Sequence, residues 1–266
     1  MNFLKSIGKS YNCICMAYFE VCILICYLLG TQLLYAIPEN NASLEKVSIS
    51  FSTLKVGEGN FDQIHYLIGE SETSPSLEFK RVRRSGPYSY YGPREMQFIR
   101  EVPTPTPEDP TATTLKLLAR VNIPKGWRDV LFFFEELKQK EEAKNVDLPY
   151  RVHMMNDSLK AFPAGSLVVF NATGRPLLGS VGGVRNLYKA GPAQQVDFSN
   201  QSEEGISSAF AINTMDGPKL VFENSLDYTE QYRVILMLAP PRRQSSIRIQ
   251  AYSIPEFIEE APPNYF

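Results

Sequence analysis

Side chains that could carry chemistry are few and scattered in this sequence. His65 and His153 are the two histidines, and His153 lies in an apolar run between Val152 and Met154. A zinc site needs three or four nitrogen, sulfur or oxygen ligands, and a blue-copper site needs a cysteine beside two histidines. We therefore expect the histidines to be polar residues on strands, without a metal ion or other cofactor. A two-histidine site completed by carboxylates from distant loops stays open.

Pairs of adjacent glutamates, among them Glu135–Glu136, Glu203–Glu204 and Glu259–Glu260, are the other candidates for chemistry. A glycosidase needs two carboxyl groups placed on either side of the sugar bond that it breaks. Neighbouring residues of a strand point to opposite faces, so none of these pairs can form such a dyad alone. The sequence also lacks the Gly-x-Ser-x-Gly turn of a hydrolase nucleophile. We expect a non-catalytic protein, with a glycosidase-like hydrolase that uses scattered carboxylates as an alternative.

Polar aromatic residues offer a candidate binding site instead. Tyr88, Tyr90 and Tyr91 lie between two Gly-Pro pairs, and Arg94 follows them. Exposed tyrosines beside arginines, together with Trp127, could stack on a sugar ring or hold an acidic partner. The alternative is that these rings close one end of a hydrophobic core. A carbohydrate-binding module is therefore the second hypothesis for function.

The N-terminal segment has the pattern of an export signal. Lys5 and Lys9 come before a mostly apolar stretch that ends near Ala36. A positive region followed by an apolar one is typical of a secretory signal, so we expect residues 1–36 to be a signal peptide. The protein would then be periplasmic, on the cell surface or secreted. Leu34 is large for the third position before a cut, so an uncleaved anchor is the alternative, and we expect membrane contact only through this segment.

Cysteine content and net charge bear on whether the protein has disulfides and which partners it binds. All four cysteines, from Cys13 to Cys26, lie inside the N-terminal segment, so an exported chain without it would contain no disulfide. The formal net charge of the whole chain is −2, which is too small to indicate nucleic acid as a partner. Another envelope protein or a glycan is the expected partner class.

In the rest of the chain, short apolar runs alternate with turn residues, a pattern that predicts short strands. Val47–Leu54 alternates apolar residues with serines, and Val234–Leu238 is a continuous apolar run typical of a strand buried on both faces. Gly182 and Gly183 interrupt a β pattern and predict a bend. Turn residues every 8–12 positions predict one all-β domain over residues 44–256, an antiparallel β-sandwich or jelly roll. A linker at 37–43 precedes it, and a loose, proline-rich tail at 257–266 follows it.

Three segments carry specific structural expectations. Ser76–Val82 is predicted to be a strand, and residues 83–94 are predicted to be a loop. Asp129–Leu137 fits either a buried strand or a helix that continues to Lys144; its three consecutive phenylalanines favour the strand. The other predicted strands are Phe61–Ile68, Met96–Val102, Leu115–Ile123, Tyr150–Met155, Ser166–Phe170, Leu177–Val181, Gln194–Ser199, Gly205–Asn213, Lys219–Glu223, Tyr232–Leu238 and Ser246–Ile254.

Four short motifs follow one another along the chain. The motifs are Tyr91–Pro93, the phenylalanines at 132–134, Phe162–Ser166 with its following strand and Asn171, and Arg233 before an apolar strand. This order resembles that of uncharacterised exported β-sandwich proteins over about Val47–Ile254. The resemblance implies a fold and no particular activity. A structural or interaction protein of the cell envelope or exterior is therefore the first hypothesis for function.

Overall fold

A computed structural model describes residues 45–69, 72–137, 148–196, 205–227, 231–243 and 245–259. The predicted signal peptide, the linker and most of the predicted tail lie outside these ranges. Within them the chain is all-β, which confirms the predicted class. No helix in the described ranges is long and apolar enough to cross a membrane.

Sixteen strands are formed by the described residues. The first eight are β1 (Lys46–Val56), β2 (His65–Ile68), β3 (Glu72–Thr73), β4 (Ser85–Pro93), β5 (Glu95–Pro103), β6 (Thr113–Asn122), β7 (Asp129–Glu136) and β8 (Tyr150–Asn156). The second eight are β9 (Leu167–Asn171), β10 (Leu177–Val181), β11 (Val184–Tyr188), β12 (Gln194–Val196), β13 (Ile206–Thr214), β14 (Gly217–Leu226), β15 (Tyr232–Ala239) and β16 (Gln250–Phe257).

These strands form four sheets of four, and the second pair of sheets repeats the topology of the first. The first half has the orders β4-β1-β7-β8 and β3-β2-β5-β6. The second half has the orders β12-β9-β15-β16 and β11-β10-β13-β14, which are the same orders with eight added to each number. Each half contains one parallel pair, β1 with β7 and β9 with β15. The prediction of one antiparallel sandwich is therefore wrong in its details, because adjacent runs with similar alternation do not reveal which strands pair.

The sheets are packed in layers, with a hydrophobic cluster between each neighbouring pair of sheets. One lies between the two sheets of the first half, and another lies between the two sheets of the second half. The third joins β1 and β7 of the first half to β9 and β15 of the second. Strands β7 and β15 therefore have apolar residues on both faces: Phe132 faces the first cluster and Phe133 the third, while Leu236 faces the second and Met237 the third. We call β4-β1-β7-β8 and β12-β9-β15-β16 the inner sheets, and the other two the outer sheets.

This layering explains the continuous apolar runs. A strand between two cores cannot alternate with polar residues, because both of its faces lose contact with water. Asp129–Glu136 is accordingly a strand, so the helix alternative is excluded, and Val234–Leu238 is buried throughout as predicted. Strand β7 is paired with β1 on one side and β8 on the other. An amphipathic helix would bury one face only, so it would leave at least one of the three consecutive phenylalanines exposed to water.

Two other expectations fail for local reasons. Ser76–Val82 forms no strand; there Leu77 N–H donates to Ile64 C=O, and Val82 takes the left-handed region with φ of 53°. Residues 83–94 are mostly strand β4 rather than a loop. Strand β4 is at the edge of its sheet, where Pro87 and Pro93 can be tolerated because one side of the backbone needs no partner.

The predicted glycine bend is confirmed as a hairpin turn. Val181 pairs with Val184, so Gly182 and Gly183 are the two turn residues, with φ of 56° and 77°. Two consecutive left-handed residues match the twist of a two-residue hairpin, and glycine adopts them without steric cost. The turn joins β10 to β11 at one edge of the second outer sheet, and it thereby fixes the register of that edge.

Candidate functional site

The predicted tyrosine cluster does not form a shared platform. Strand β4 alternates, so Tyr88 and Tyr90 face the first core, whereas Tyr91 is 62% exposed. Tyr88 packs on Phe51 with ring centroids 5.3 Å apart, and its hydroxyl accepts a hydrogen bond from Glu78 N–H at 2.9 Å. Tyr90 is buried and donates to Pro93 C=O at 2.7 Å. Of the three rings, only that of Tyr91 is exposed, and Lys46 Nζ lies over it at 5.6 Å from the ring centroid.

Arg94 and Trp127 are also separate from an exposed ring surface. Arg94 Nε donates to Ile123 C=O at 3.0 Å, and its Nη1 lies 3.4 Å from Glu45 Oε2. Trp127 is half-buried and packs against the first hydrophobic cluster. A carbohydrate-binding module uses several flat, exposed rings in one plane, and these five residues do not supply them.

The paired glutamates diverge as strand geometry requires. Glu136 accepts a hydrogen bond from Asn60 N–H at 3.0 Å on the side of the first core. Glu135 turns the other way, where its Oε2 lies 3.5 Å from Arg151 Nη1 and 3.6 Å from His153 Nε2. A cleft of about 680 Å³ opens between the two halves; Glu58, Glu135 and Glu136 line it from the first half and Tyr252 from the second.

The histidines lie in separate environments. His65 Nδ1 is 2.7 Å from Ser74 C=O, whereas the ring of His153 packs edge-on against Phe170 at 5.4 Å. Within the described ranges, no group of three or more histidine, cysteine, aspartate or glutamate side chains is close enough to hold a metal ion.

A cluster of four charged side chains joins the two halves. Arg84 and Asp157 belong to the first half, and Arg84 Nη1 lies 2.6 Å from Asp157 Oδ2 and 2.9 Å from Glu256 Oε2. Arg233, which is 5% exposed, contributes from β15 with Nε 2.7 Å from Glu256 Oε2 and Nη2 3.3 Å from Asp157 Oδ1. Arg233 also donates to the backbone carbonyls of Asp157 and Phe162. We call these four residues the interlayer charge cluster.

Burial dominates the electrostatics of this cluster. It raises the pKa of the Asp157 carboxyl above its usual range, although Arg84 and Arg233 oppose the shift. Burial likewise lowers the pKa of the Arg84 guanidinium, which Asp157 and Glu256 oppose. Each buried charge therefore depends on its neighbours to remain ionised. The cluster holds the halves together, and Arg233, which the motif order singled out, has a structural role.

Asn171, the other polar residue of the motif order, is also structural. Its side chain is 1% exposed, and its Nδ2 donates to the carbonyls of Arg175 and Tyr188. Its Oδ1 accepts hydrogen bonds from the N–H and hydroxyl of Thr173. All of its polar atoms are thus used to fix the turn between β9 and β10, which leaves none of them for a ligand.

An exposed apolar surface lies on the second outer sheet. Leu187, Leu178 and Leu220 are 45%, 40% and 54% exposed, and Ala211 is half-buried between them. The register places them in one line across the four strands, since Leu187 pairs with Leu178, Leu178 with Ala211 and Ala211 with Leu220. We call this line the leucine row. A shallow groove of about 550 Å³ runs along it, with Pro218 at its rim.

A second line runs parallel to the leucine row and ends in opposite charges. It contains Arg185 on β11, Ser180 on β10, Ala209 on β13 and Glu223 on β14. Arg185 and Glu223 are exposed at the two edges of the sheet, and neither has an ion-pair partner among the described residues. We call this line the charged row.

The first outer sheet presents a different surface. Gln97 and Arg120 face each other on β5 and β6, next to the pair of Glu95 and Asn122. Arg120 Nε lies 3.9 Å from Glu95 Oε1, and Gln97 Nε2 donates to the same oxygen at 3.4 Å. These polar side chains satisfy one another in water, whereas the leucine row exposes apolar surface that water hydrates poorly.

Sequence reasoning missed the leucine row for two reasons. Leu187 lies on β11, which no sequence pattern marked as a strand. Leu178 was placed in a strand, and its position next to buried Leu177 already implied that one of the two faces outward. Two adjacent leucines in one strand were the available signal, because one of them must face solvent. That Ala211 and Leu220 lie beside Leu178 follows only from the strand order.

No protein-family model matches the chain, and no curated protein matches it either.

Proposed function

We propose that the protein is a non-catalytic, exported interaction protein of the cell envelope or exterior. The leucine row carries this proposal, because it is a continuous apolar line across a solvent-facing sheet. Exposed apolar surface of this kind commonly marks a contact with another macromolecule. The export assignment rests on the basic and apolar pattern of residues 1–36.

The proposed binding role agrees with the chemistry of the remaining polar groups. The interlayer charge cluster is engaged within the protein, and the adjacent carboxyls of Glu135 and Glu136 face apart. The cleft beside Glu135 is lined by the acids Glu58, Glu135 and Glu136 and by the cations Lys55, Arg81 and Arg242, so each acid there has basic side chains around it. Surface contact is therefore the activity that the described residues support best.

Two measurements test the proposal. A photo-crosslinking amino acid at position 187 should give crosslinks in the native host, whereas the same group at Gln97, on the polar outer sheet, should give few. Purified protein should also show no turnover of glycoside, ester and peptide substrates. Reproducible turnover that survives repurification, or equal crosslinking from both positions, would refute a non-catalytic contact role for the leucine row.

A further inference from the structure

We infer that the partner on the leucine row is a second copy of this chain, packed face to face about a two-fold axis that runs nearly parallel to the strands. The inference rests on the proposed function, since it identifies the partner of the same surface. It follows from the order of residues in the two rows, which is complementary to itself under that symmetry.

The symmetry pairs large side chains with small ones. A two-fold axis along the strands, lying between β10 and β13, reverses the order of strands in the facing copy. Leu187 of one copy then faces Leu220 of the other, and Leu178 faces Ala211. The leucine at position 178 therefore enters the space above an alanine, while the two outer leucines meet at the edges. Interdigitation of this kind is how packed sheets fill the space between them.

The same symmetry pairs opposite charges. Within one molecule, Arg185 and Glu223 are separated by three strand spacings of about 4.8 Å each, too far for an ion pair across the sheet. Strand reversal places Arg185 of one copy opposite Glu223 of the other, and the axis creates this contact twice. Facing sheets are about 10 Å apart, a distance that an arginine and a glutamate can span together.

The alternative two-fold, across the strands, lacks this complementarity. It would lay each strand over its own copy, so that both Arg185 residues lie at one edge and both Glu223 residues at the other. Like charges at the same edge repel, and Leu178 would no longer face Ala211. Charge and size together therefore favour the axis parallel to the strands.

The expected dimer is reversible. One face of a four-stranded sheet offers less area than the roughly 800 Å² per partner of a standard stable interface. Apolar contact along the leucine row supplies most of the affinity, and the two rim ion pairs fix orientation and weaken with salt. We expect monomer and dimer to exchange at micromolar concentration.

Crosslinking between engineered cysteines tests the register directly. Full-length Leu187→Cys and Leu220→Cys proteins, mixed and treated with a short bis-maleimide crosslinker that can span facing sheets, should give a covalent dimer that peptide mapping assigns to positions 187 and 220. Either variant alone should give several-fold less, because reversal separates identical positions. The native cysteines in the N-terminal segment give the same background in every sample. Equal crosslinking by one variant alone would overturn the proposed axis.

Charge reversal tests the rim contacts without altering the core. Arg185→Glu or Glu223→Arg should raise the dimer dissociation constant at least tenfold in sedimentation velocity at low salt, because each places two pairs of like charges together. The double variant Arg185→Glu with Glu223→Arg should return to within about threefold of the wild type. Arg120→Glu, on the polar outer sheet, is the matched control and should change nothing.

The outcomes separate this inference from the proposed function. Restoration by the double variant supports the two-fold dimer. A protein that stays monomeric at all concentrations, or a double variant no better than either single variant, overturns it. If the protein is monomeric yet position 187 crosslinks to a different protein in the host, the self-association fails while the proposed contact role stands. If position 187 crosslinks to nothing, both fail.

Discussion

The two halves of the described chain share one strand order and differ in what fills them. Among the described residues, the first core contains eight buried aromatic residues, whereas the second contains Tyr188 and Phe210 as its two. Phe132 of β7 meets Phe51 and Phe98 edge-on, at centroid distances of 5.3 and 5.5 Å. Leu236 occupies the equivalent inward position of β15. One backbone arrangement thus accepts either rings or aliphatic side chains, provided that the volume is filled.

The outer surfaces of the halves differ more than their cores. Inward positions must be apolar in both halves, because they are removed from water in the same way. Outward positions carry no such requirement. Beside the bulge in each outer sheet, the first half pairs Gln97 with Arg120 where the second pairs Ala209 with Glu223. The comparison teaches that strand order constrains the buried residues and leaves the outward residues free to differ between the halves.

Equivalent core truncations should give the largest effects. Phe132→Ala is expected to lower the free energy of unfolding by about 3–5 kcal/mol, and Leu236→Ala by about 2–4 kcal/mol. The first loses edge-on ring contacts in addition to buried area. Denaturant titrations followed by far-ultraviolet circular dichroism would measure both. A larger loss for Leu236→Ala would contradict the view that the rings hold the first core.

The interlayer charge cluster should give the next effect, because it joins the halves that are being compared. Arg84→Met removes a cation from Asp157 and should cost about 3 kcal/mol at neutral pH. Burial already raises the pKa of Asp157, and losing Arg84 raises it further. The native state then holds a proton that the unfolded state releases, so the penalty grows as pH rises from about 4 and shrinks in acid.

A double variant controls for this result. Arg84→Met with Asp157→Leu removes both members of the pair, and it should recover most of the stability lost in Arg84→Met, because no unpaired carboxylate stays buried. Thermal unfolding at several pH values would show it. A double variant as unstable as the single one would mean that packing of the Arg84 side chain, or the contact of Asp157 with Arg233, rather than the charge of Arg84, connects the halves.

A glycine in the second half should give a smaller loss. A Cβ at Gly179 would lie 2.6 Å from Tyr188 Cε2 and 2.7 Å from Phe210 Cδ1, so Gly179→Ala forces two buried rings to move. Overpacking of this kind costs about 1–3 kcal/mol. Ser180→Ala, on the outward side of the same strand, should stay within about 0.5 kcal/mol of the wild type. Equal free energies of unfolding for Gly179→Ala and Ser180→Ala would show that the rings of Tyr188 and Phe210 can move aside at little cost.

Two buried tyrosines should give the smallest and most discriminating difference. Tyr90→Phe loses the hydrogen bond to Pro93 C=O and should cost about 1 kcal/mol. Tyr188→Phe removes a buried hydroxyl that has no hydrogen-bond partner in the described part of the chain, so it should be neutral or stabilising. Urea titrations at pH 7 would measure both. A larger cost for Tyr188→Phe would reverse the comparison.

The same tyrosines predict a dependence on alkaline pH. Burial raises the pKa of Tyr90 and of Tyr188 to about 12, from an ordinary value of about 10. Between pH 10 and 12 the native state keeps phenolic protons that the unfolded state releases, so stability falls as pH rises through this range. Each phenylalanine variant should show a shallower fall. A fall that both variants share unchanged with the wild type would exclude these two groups as its source.

Much of the fold was predictable because burial leaves a local signature. Alternation in Val47–Leu54 and the continuous apolar runs at 129–137 and 234–238 indicated strands in the correct places. Gly182–Gly183 indicated the hairpin turn through its backbone freedom alone. The segment around Tyr88 was mistaken for a loop because its prolines and glycines are turn residues in most contexts, while an edge strand tolerates them.

The all-β class was thus determined by the sequence alone, since it depends on residue type and short spacing. The pairing of strands, the repeat of topology in two halves and the leucine row were decided only by the tertiary structure. Leu187 and Leu220 are far apart in the chain. They lie on one line across the sheet because the strand order β11-β10-β13-β14 aligns them with Leu178 and Ala211. Residue spacing determines which way a side chain points from its own strand, but only long-range strand order determines which side chains lie next to it.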